Sequence, residues 1–242
     1  MQNNPMDRFR YAAAGRARRG LLLLALAAGC GLARAQVPPS SADVAAYDGL
    51  HAAAHRGDLA LVRRLATSAQ AREARDAAGR TPLHVATFAR QHAAMQALLA
   101  AGADTAALEQ GRYDAVTIAA VADDEDALRI LLAAGASARL ITSRYDGTAL
   151  IAAAHLGHDG VVRQLIPAGA PLDHVNNLHW TAVIESIVLG NGGPRHQATL
   201  KALLEAGAST QLGDRSGATP LQLARSRGYE AMVRMLEAAG AR

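Results

Sequence analysis

A six-residue motif that recurs along the chain constrains its fold more than any other feature of the sequence. The clearest copy is Thr-Pro-Leu-His-Val-Ala at 81–86, and a second well-preserved copy, Thr-Pro-Leu-Gln-Leu-Ala, lies at 219–224. A short unit that recurs at a fixed period predicts an array of repeated supersecondary structures, in which each unit packs on its neighbours. Weaker copies of the motif lie at 50–53, 116–119, 148–152 and 181–184.

Gly-Ala pairs set the period of the array. Each pair follows an apolar run such as Leu98-Leu99 or Leu131-Leu132, and a glycine directly after such a run is a signal that a helix ends. The unit is therefore predicted to be a turn, a short helix opened by Thr-Pro or Thr-Ala, a tight loop, a second amphipathic helix and a glycine stop. The pairs lie at 102–103, 135–136, 169–170, 207–208 and 240–241, which gives intervals of 33, 34, 38 and 33 residues.

These units resemble the ankyrin-repeat family, whose pattern is D-x-x-G-x-T-P-L-H-x-A-A-x-x-G. The pattern is matched best from Asp76 to Ala86 and from Asp214 to Ala224. The resemblance implies an all-α solenoid of about six helix–turn–helix units, with a β-hairpin finger projecting between neighbouring units. The predicted organisation is a leader at 1–35, a short linker at 36–42 and units at about 43–75, 76–108, 109–142, 143–175, 176–213 and 214–242.

The first 35 residues predict a secretory signal peptide. A basic head precedes the apolar run that begins at Leu21, and Ala33-Arg34-Ala35 offers a small-x-small cleavage site. Arg18-Arg19-Gly20-Leu21-Leu22 also resembles a twin-arginine export signal, and the segment ending at Cys30 is a weaker match to a lipoprotein box. We expect cleavage after Ala35, giving an exported protein without a membrane span. The Ala- and Arg-rich composition is typical of a GC-rich bacterium, in which the destination of such a protein is the periplasm.

Removal of the leader changes the charge on which a partner could act. The leader carries six arginines and one aspartate, so the formal net charge falls from +4 for the whole chain to −1 for the remainder. Nucleic-acid binding needs a concentrated basic surface and is therefore not predicted. The single cysteine, Cys30, also lies in the leader, so the rest of the chain can form neither a disulfide nor a thiolate metal site.

Two pairs of histidines raise the hypothesis of a metal site. His51 and His55 are four residues apart and His155 and His158 three, yet no carboxylate or third histidine lies at ligand spacing in these units. The resemblance implies instead that His51 and His84, at the T-P-L-H position, bond to loop backbone. No metal, cofactor or catalytic motif is predicted, although an enzyme or metal carrier built on three of these histidines (His51, His55 and His155) and on Asp123 remains the rival interpretation.

Two irregularities interrupt the period. Four acidic residues at 123–126 replace the usual glycine between the helices, but they lack the alternating ligands of a calcium loop and are favoured at a helix start by the helix dipole. About five residues, 192–196, are inserted between the helices of the fifth unit. We expect this insertion to be a tolerated surface loop rather than a functional one.

The variable positions give the candidate binding residues. Four aromatic residues lie just before the recurring motif, on the predicted fingers, while the core is filled by Ala, Leu, Val and Ile. Tyr, Trp and Arg dominate interface energetics, so we favour partner binding over the alternative that these aromatics brace neighbouring fingers. The predicted partner-binding residues are Tyr47, Arg80, Phe88, Tyr113, Arg144, Tyr145, His155, Asn177 and Trp180.

The function that follows is a monomeric, non-enzymatic scaffold that binds a protein through a concave surface of fingers and first helices. Exported bacterial ankyrin proteins of this appearance are linked to oxidative-stress defence beside a catalase or peroxidase, and also to immunity against a secreted effector delivered into the periplasm. The resemblance leaves both kinds of partner open.

Overall fold

A computed structural model describes residues 36–242; the predicted leader, with its cleavage site and Cys30, lies outside the described residues. Within 36–242 the only β-structure is an isolated bridge between Thr142 and Gly147, and no helix there is long and apolar enough to cross a membrane. The helices of this part are α1 (Ser41–Ala46), α2 (Gly49–Arg56), α3 (Leu59–Leu65), α4 (Ala69–Arg72), α5 (Pro82–Phe88), α6 (His92–Ala100), α7 (Ala115–Val121), α8 (Glu125–Ala133), α9 (Ala149–Leu156), α10 (Asp159–Leu165), α11 (Ala182–Val188), α12 (Pro194–Glu205), α13 (Pro220–Ser226) and α14 (Glu230–Ala238).

Six consecutive helix pairs build the array, from α2–α3 to α13–α14. The first helices of neighbouring pairs pack on each other in a row, and the second helices form a parallel layer beside them. The short helices α1 and α4 lie outside this pairing, before and after the first pair. The predicted all-helical succession of helix–turn–helix units is confirmed.

Capping residues explain where the first helices begin. Thr81 occupies the position before α5, its hydroxyl accepts a hydrogen bond from the amide of His84, and the imidazole of His84 accepts one from the amide of Thr81. Thr219 and Gln222 form the same reciprocal arrangement before α13. A proline follows both threonines, at a position where its missing N–H would have no helical partner. The recurring motif is therefore a helix start.

Glycine-alanine pairs end the second helices by one repeated geometry. Gly102 has φ 89°, a left-handed conformation that favours glycine, and the amide of Ala103 then donates to the carbonyl of Leu98 at 3.0 Å. The corresponding bond from Ala136 to Leu131 is also 3.0 Å. The predicted glycine stops are confirmed, and the alanine is seen to satisfy a carbonyl of the last helical turn.

A continuous apolar core runs between the two helix layers. The first helices contribute side chains such as Leu83 and Leu150, and the second helices contribute Leu98, Leu131 and Leu165, all fully buried. Alanines such as Ala86 and Ala153 are fully buried in the same core. Because each pair buries its apolar face only against its neighbours, stability accumulates along the array rather than around one centre.

The fingers are tight turns joined to one another by backbone hydrogen bonds. In the finger at Asp76–Arg80, the carboxylate of Asp76 accepts the amides of Ala78 and Arg80, and the next finger donates the amide of Gln110 to the carbonyl of Ala78 at 3.0 Å. An equivalent bond joins the amide of Asn177 to the carbonyl of Tyr145. The predicted fingers are present as a linked strip of turns rather than as β-hairpins, because the described residues form only the isolated bridge between Thr142 and Gly147.

The insertion at 192–196 corrects an expectation. We expected a surface loop, but α12 begins at Pro194, so only Gly192 and Gly193 remain outside the helix and residues 194–196 form its first turn. Arg195 reaches back across two units, with an ion pair of 2.8 Å to Asp123 and one of 3.2 Å to Asp159. The insertion therefore ties the third, fourth and fifth units together.

The acidic run at 123–126 lies at a helix start, as predicted. Asp124 caps α8 by accepting the amide of Ala127 at 3.0 Å, and its carboxylate lies 2.9 Å from Nε2 of His92. Asp123 replaces the usual glycine with φ 52°, a conformation that aspartate tolerates better than most residues. These carboxylates are occupied by local structure.

Candidate protein-binding surface

The motif histidines are parts of the scaffold. Nε2 of His84 lies 2.9 Å from the carbonyl of Ala107, and Nδ1 accepts the amide of Thr81, so the neutral ring bridges a helix start and the following loop. Burial lowers the pKa of His84 to about 4. Nε2 of His51 lies 3.0 Å from the carbonyl of Arg80 in the same way. The backbone-bonding role that the resemblance implied for both histidines is confirmed.

Arg80 is not available to a partner. Its side chain is 2% exposed, with Nε 2.6 Å from Oδ2 of Asp76 and Nη2 2.9 Å from Oδ2 of Asp43 in α1. The guanidinium of Arg80 beside it is the main cause that lowers the pKa of Asp43 to about 2. The prediction that Arg80 binds a partner is corrected: this guanidinium fastens α1 to the first finger.

Tyr47 belongs to the same network and is half-buried. Its hydroxyl donates to Oδ2 of Asp76 at 2.8 Å, and its ring packs on His51 and His55, with centroids 5.6 and 6.1 Å apart. Burial, followed by the hydrogen bond to Asp76, raises the pKa of Tyr47. The bracing alternative describes Tyr47, because its ring packs on the first unit and its hydroxyl bonds to the finger that follows that unit.

The other predicted residues lie at the surface to different degrees. Arg144 and Asn177 are exposed on successive fingers, and the amide of Asn177 donates its side-chain hydrogen to the carbonyl of Arg144 at 3.0 Å. Tyr113 lies against Gly111 of its own finger, where a Cβ would come within 3.1 Å of the ring. Burial raises the pKa of the Tyr113 hydroxyl. The remaining predicted residues, Phe88, Tyr145, His155 and Trp180, are partly exposed.

An exposed apolar cluster covers the fourth and fifth units and the end of the segment directly before them. Within the part of the chain that the structure describes, seven large apolar side chains are exposed, and five of them lie between 141 and 189. Ile141 and Val175 lie directly before two successive fingers, at 50% and 41% exposure. Leu156 ends the first helix of the fourth unit, Leu189 directly follows that of the fifth, and Leu178 lies at a finger tip. Exposed large apolar side chains concentrated in one part of a protein are a feature of interaction sites, which makes these residues candidates.

Most of this cluster escaped prediction from the sequence. Attention to aromatic residues identified Tyr145 and Trp180 but passed over the aliphatic residues beside them. The signal was available in the repeat itself, because Ile141 and Val175 occupy the position before the finger that Arg75 occupies in an earlier unit. A position that varies between charged and apolar residues cannot belong to a common core, and it therefore indicates a surface position.

A buried carboxylate lies beside the cluster. Glu185 in α11 is 4% exposed, and its Oε1 accepts a hydrogen bond of 3.0 Å from the side-chain amide of Asn176. Its Oε2 lies 3.3 Å from Nδ1 of His155. That last contact lacks the alignment of a hydrogen bond, so none of the described residues donates one to Oε2. Asn176 also supplies Oδ1 to the amides of Leu178 and Trp180, which shapes the finger.

The rival metal or catalytic interpretation meets side chains that are already engaged. His51 bonds to backbone, and Asp123 pairs with Arg195. Nδ1 of His158 lies 2.8 Å from the carbonyl of Ala120. Between residues 36 and 242, no three histidine, cysteine or acidic side chains are grouped as a metal ion would require.

Comparison with known proteins agrees with this geometry. The sequence profile described as "Ankyrin repeats (3 copies)" matches residues 17–109 and 116–214, which is more than half of the chain. The chain belongs to the ankyrin-repeat family. The ankyrin repeats account for the paired helices, the motif histidines and the finger strip.

Individual relatives support the same assignment. An ankyrin repeat protein of Escherichia coli (strain K12), YahD, is 42% identical over 100 residues, which cover 41% of this chain. The matched region spans half the length of YahD. A solved ankyrin repeat domain from Acinetobacter baumannii AYE is 43% identical with a TM-score of 0.76, covering 80% of this chain and 98% of that one. The ankyrin repeat protein EF0377 is 30% identical with a TM-score of 0.73, covering 79% and 98%.

Proposed function

We propose that this ankyrin-repeat protein is a non-enzymatic scaffold whose partner protein binds the fourth and fifth units. The binding residues form what we call the recognition surface: Ile141, Tyr145, His155, Leu156, Val175, Leu178, Trp180 and Leu189. The observation that carries the proposal is the concentration of exposed apolar side chains in these two units. Ankyrin repeats in general serve as non-enzymatic modules for protein–protein interaction, which supports the proposal.

Exposed apolar side chains favour binding because covering them removes apolar surface from water. Burial of such surface contributes about 25 cal/mol per Å² to the free energy of association, so a partner that covers these half-exposed side chains is bound more tightly. The surface is also held in shape, because Asn177 bonds to the preceding finger through both its amide groups. A preformed surface loses little conformational entropy on binding, which favours affinity.

The test compares substitutions on the recognition surface with a substitution of an equally exposed leucine outside it. Leu178 on the recognition surface and Leu212 outside it are both 37% exposed. We expect Val175→Ser combined with Leu178→Ser to weaken partner capture roughly tenfold or more, while Leu212→Ser leaves it unchanged. Capture is measured from a periplasmic extract with the exported protein as bait, and circular dichroism verifies that each variant keeps its helices. Equal capture by all three proteins would remove the site from these units.

Export to the periplasm is part of the proposal and rests on the leader sequence. A basic head, an apolar run and the Ala33-Arg34-Ala35 site support cleavage after Ala35. Mass spectrometry of the mature protein should find Gln36 at its N-terminus in a periplasmic fraction, whereas a lipidated Cys30 or an uncleaved chain would contradict it. If the captured partner is a catalase or peroxidase, deletion of the gene for the ankyrin protein should make the bacterium sensitive to peroxide. If the captured partner is a toxic effector, it should be bound stoichiometrically and inhibited.

A further inference from the structure

Glu185 stands at a position where the other five units carry no charge. Counting from the residue that caps each first helix, the fifth residue is alanine or a larger aliphatic residue in every other unit, and glutamate only here. Burial of a carboxylate disfavours the folded protein unless donors or cations compensate the charge. The equivalent residues are Ala52, Val85, Ile118, Ala152 and Leu223.

A second substitution in the same unit accompanies this glutamate. The finger turns at Asp76 and Asp214 are shaped by aspartate, which accepts backbone amides, while the fifth unit has Asn176 at that place. Asn176 keeps the accepting role through Oδ1 and adds an Nδ2 donor, which bonds to Oε1 of Glu185. An aspartate there would set a second negative charge against Glu185. The asparagine and the glutamate therefore form a matched pair specific to this unit.

One oxygen of this carboxylate, Oε2, is left without a hydrogen-bond donor in the described residues. Oε1 is held by Asn176, but Oε2 receives no hydrogen bond within residues 36–242 and has only Nδ1 of His155 nearby, at 3.3 Å. A hydrogen on Nδ1 is the arrangement that such a carboxylate favours, which leaves Nε2 of His155 as an acceptor. His155 is 39% exposed on the recognition surface and forms no hydrogen bond through its ring, unlike His51, His84 and His158.

We propose, on the basis of the function proposed above, that the carboxylate of Glu185 and the imidazole of His155 receive a lysine or arginine side chain of the partner protein. Glu185 supplies a negative charge without a cation, and Nε2 of His155 supplies a second acceptor at the surface. A cationic side chain with several N–H donors matches two acceptors of this kind, and charge-assisted hydrogen bonds are stronger than neutral ones. His155 covers Oε2 in the free protein and turns aside when the cation enters.

The partner's contact segment is thereby defined in chemical terms. It carries one basic side chain for Glu185, set among apolar side chains that cover Leu178, Val175 and their neighbours. The apolar contacts supply most of the affinity, and the buried carboxylate selects which segment is accepted. A neutral or acidic side chain at that place would leave the charge of Glu185 covered and unpaired, at a cost that discriminates against the wrong partner.

A random-peptide library displayed on phage tests the inference on the exported protein. Enriched peptides should share a lysine or arginine at a fixed place relative to apolar residues. Their affinity should fall roughly ten- to a hundredfold on Glu185→Gln, which keeps the shape and the acceptor for Asn176 but removes the charge. The matched control is Glu205→Gln, which removes the same charge from an exposed site on α12 and should have no effect.

A second measurement distinguishes recognition from a structural role. The nitrogen shifts of the His155 ring and of the Asn176 side-chain amide, followed by NMR, should move when an enriched peptide binds the wild-type protein. Peptides that depend on Leu178 but share no basic residue, or bind Glu185→Gln equally well, would overturn this inference and leave the recognition surface standing. Enriched peptides indifferent to Val175→Ser with Leu178→Ser, or no enrichment at all, would overturn the proposed function together with it.

Discussion

The neutral, buried histidine of the best motif copy makes stability depend on pH in a way that one substitution should remove. His84 is 2% exposed, and its pKa falls from 6.5 to about 4 because burial disfavours the charged ring. Between these two values the unfolded chain binds a proton that the native protein does not. Stability should therefore be fully present above about pH 6.5 and should decline as the pH falls towards 4.

The size of this decline follows from the shift. Each pKa unit corresponds to about 1.4 kcal/mol, so the displacement from 6.5 to about 4 contributes about 3 kcal/mol of lost stability at the acid end. His84→Gln removes the titrating group while keeping the cap, because Gln222 forms the same reciprocal bonds with Thr219 in the sixth unit. The variant loses the bond to the carbonyl of Ala107, which costs about 1 kcal/mol at pH 7.

Urea unfolding followed by circular dichroism at a series of pH values measures both effects. The wild-type protein should lose about 3 kcal/mol more than His84→Gln between pH 6.5 and 4, although it starts about 1 kcal/mol more stable. Carboxylates titrate in both proteins and cancel in the difference. His179→Gln, an exposed finger histidine, should leave the pH profile unchanged. Parallel profiles for wild type and His84→Gln would refute the scaffold role of the buried imidazole.

Two further substitutions test contacts that lie outside the repeat pattern. Arg80→Ala should destabilise the protein by about 3 kcal/mol, since it leaves the buried Asp76 without its cation, and urea unfolding at neutral pH measures the loss. Arg195→Ala should cost only about 1 kcal/mol, because its pairs with Asp123 and Asp159 are partly exposed; hydrogen exchange should show faster opening of the third to fifth units and no change in the first.

The sequence was sufficient for features that recur. Glycine stops, threonine caps and motif histidines repeat because each unit solves the same local problem of helix ends and backbone bonds. These features appeared in the structure where the period placed them, with Gly102 in the left-handed conformation and His84 bonded across the loop. Periodicity could therefore predict the fold and the scaffold function of the motif histidine.

Contacts between non-equivalent positions could not be predicted in this way. Arg80 was predicted to bind a partner because it lies on a finger and arginine is frequent in interfaces, but α1 supplies Asp43 from outside the period and pairs with it. Arg195 lies in an inserted segment and pairs with Asp123 two units away. Such partners depend on the path of the chain in space, which the repeat pattern does not encode.

The candidate site shows the same division. Tyr145 and Trp180 are candidates by residue type, whereas Ile141 and Val175 become candidates only when their exposure is known. The pairing of Asn176 with Glu185 is visible only in three dimensions, because the two residues lie on a finger and on the following helix. Variable positions indicated where to look for the site, and solvent exposure decided which of them qualified.

We propose above all that a partner protein binds the fourth and fifth units through their fingers and first-helix ends. Hydrogen exchange of the captured complex, read by mass spectrometry, tests it most directly. We predict slowed exchange in the peptides that contain residues 141–147, 155–157 and 175–181, with the second helices α8, α10 and α12 unchanged. Protection confined to those second helices, with the fingers exchanging as in the free protein, would contradict the recognition surface.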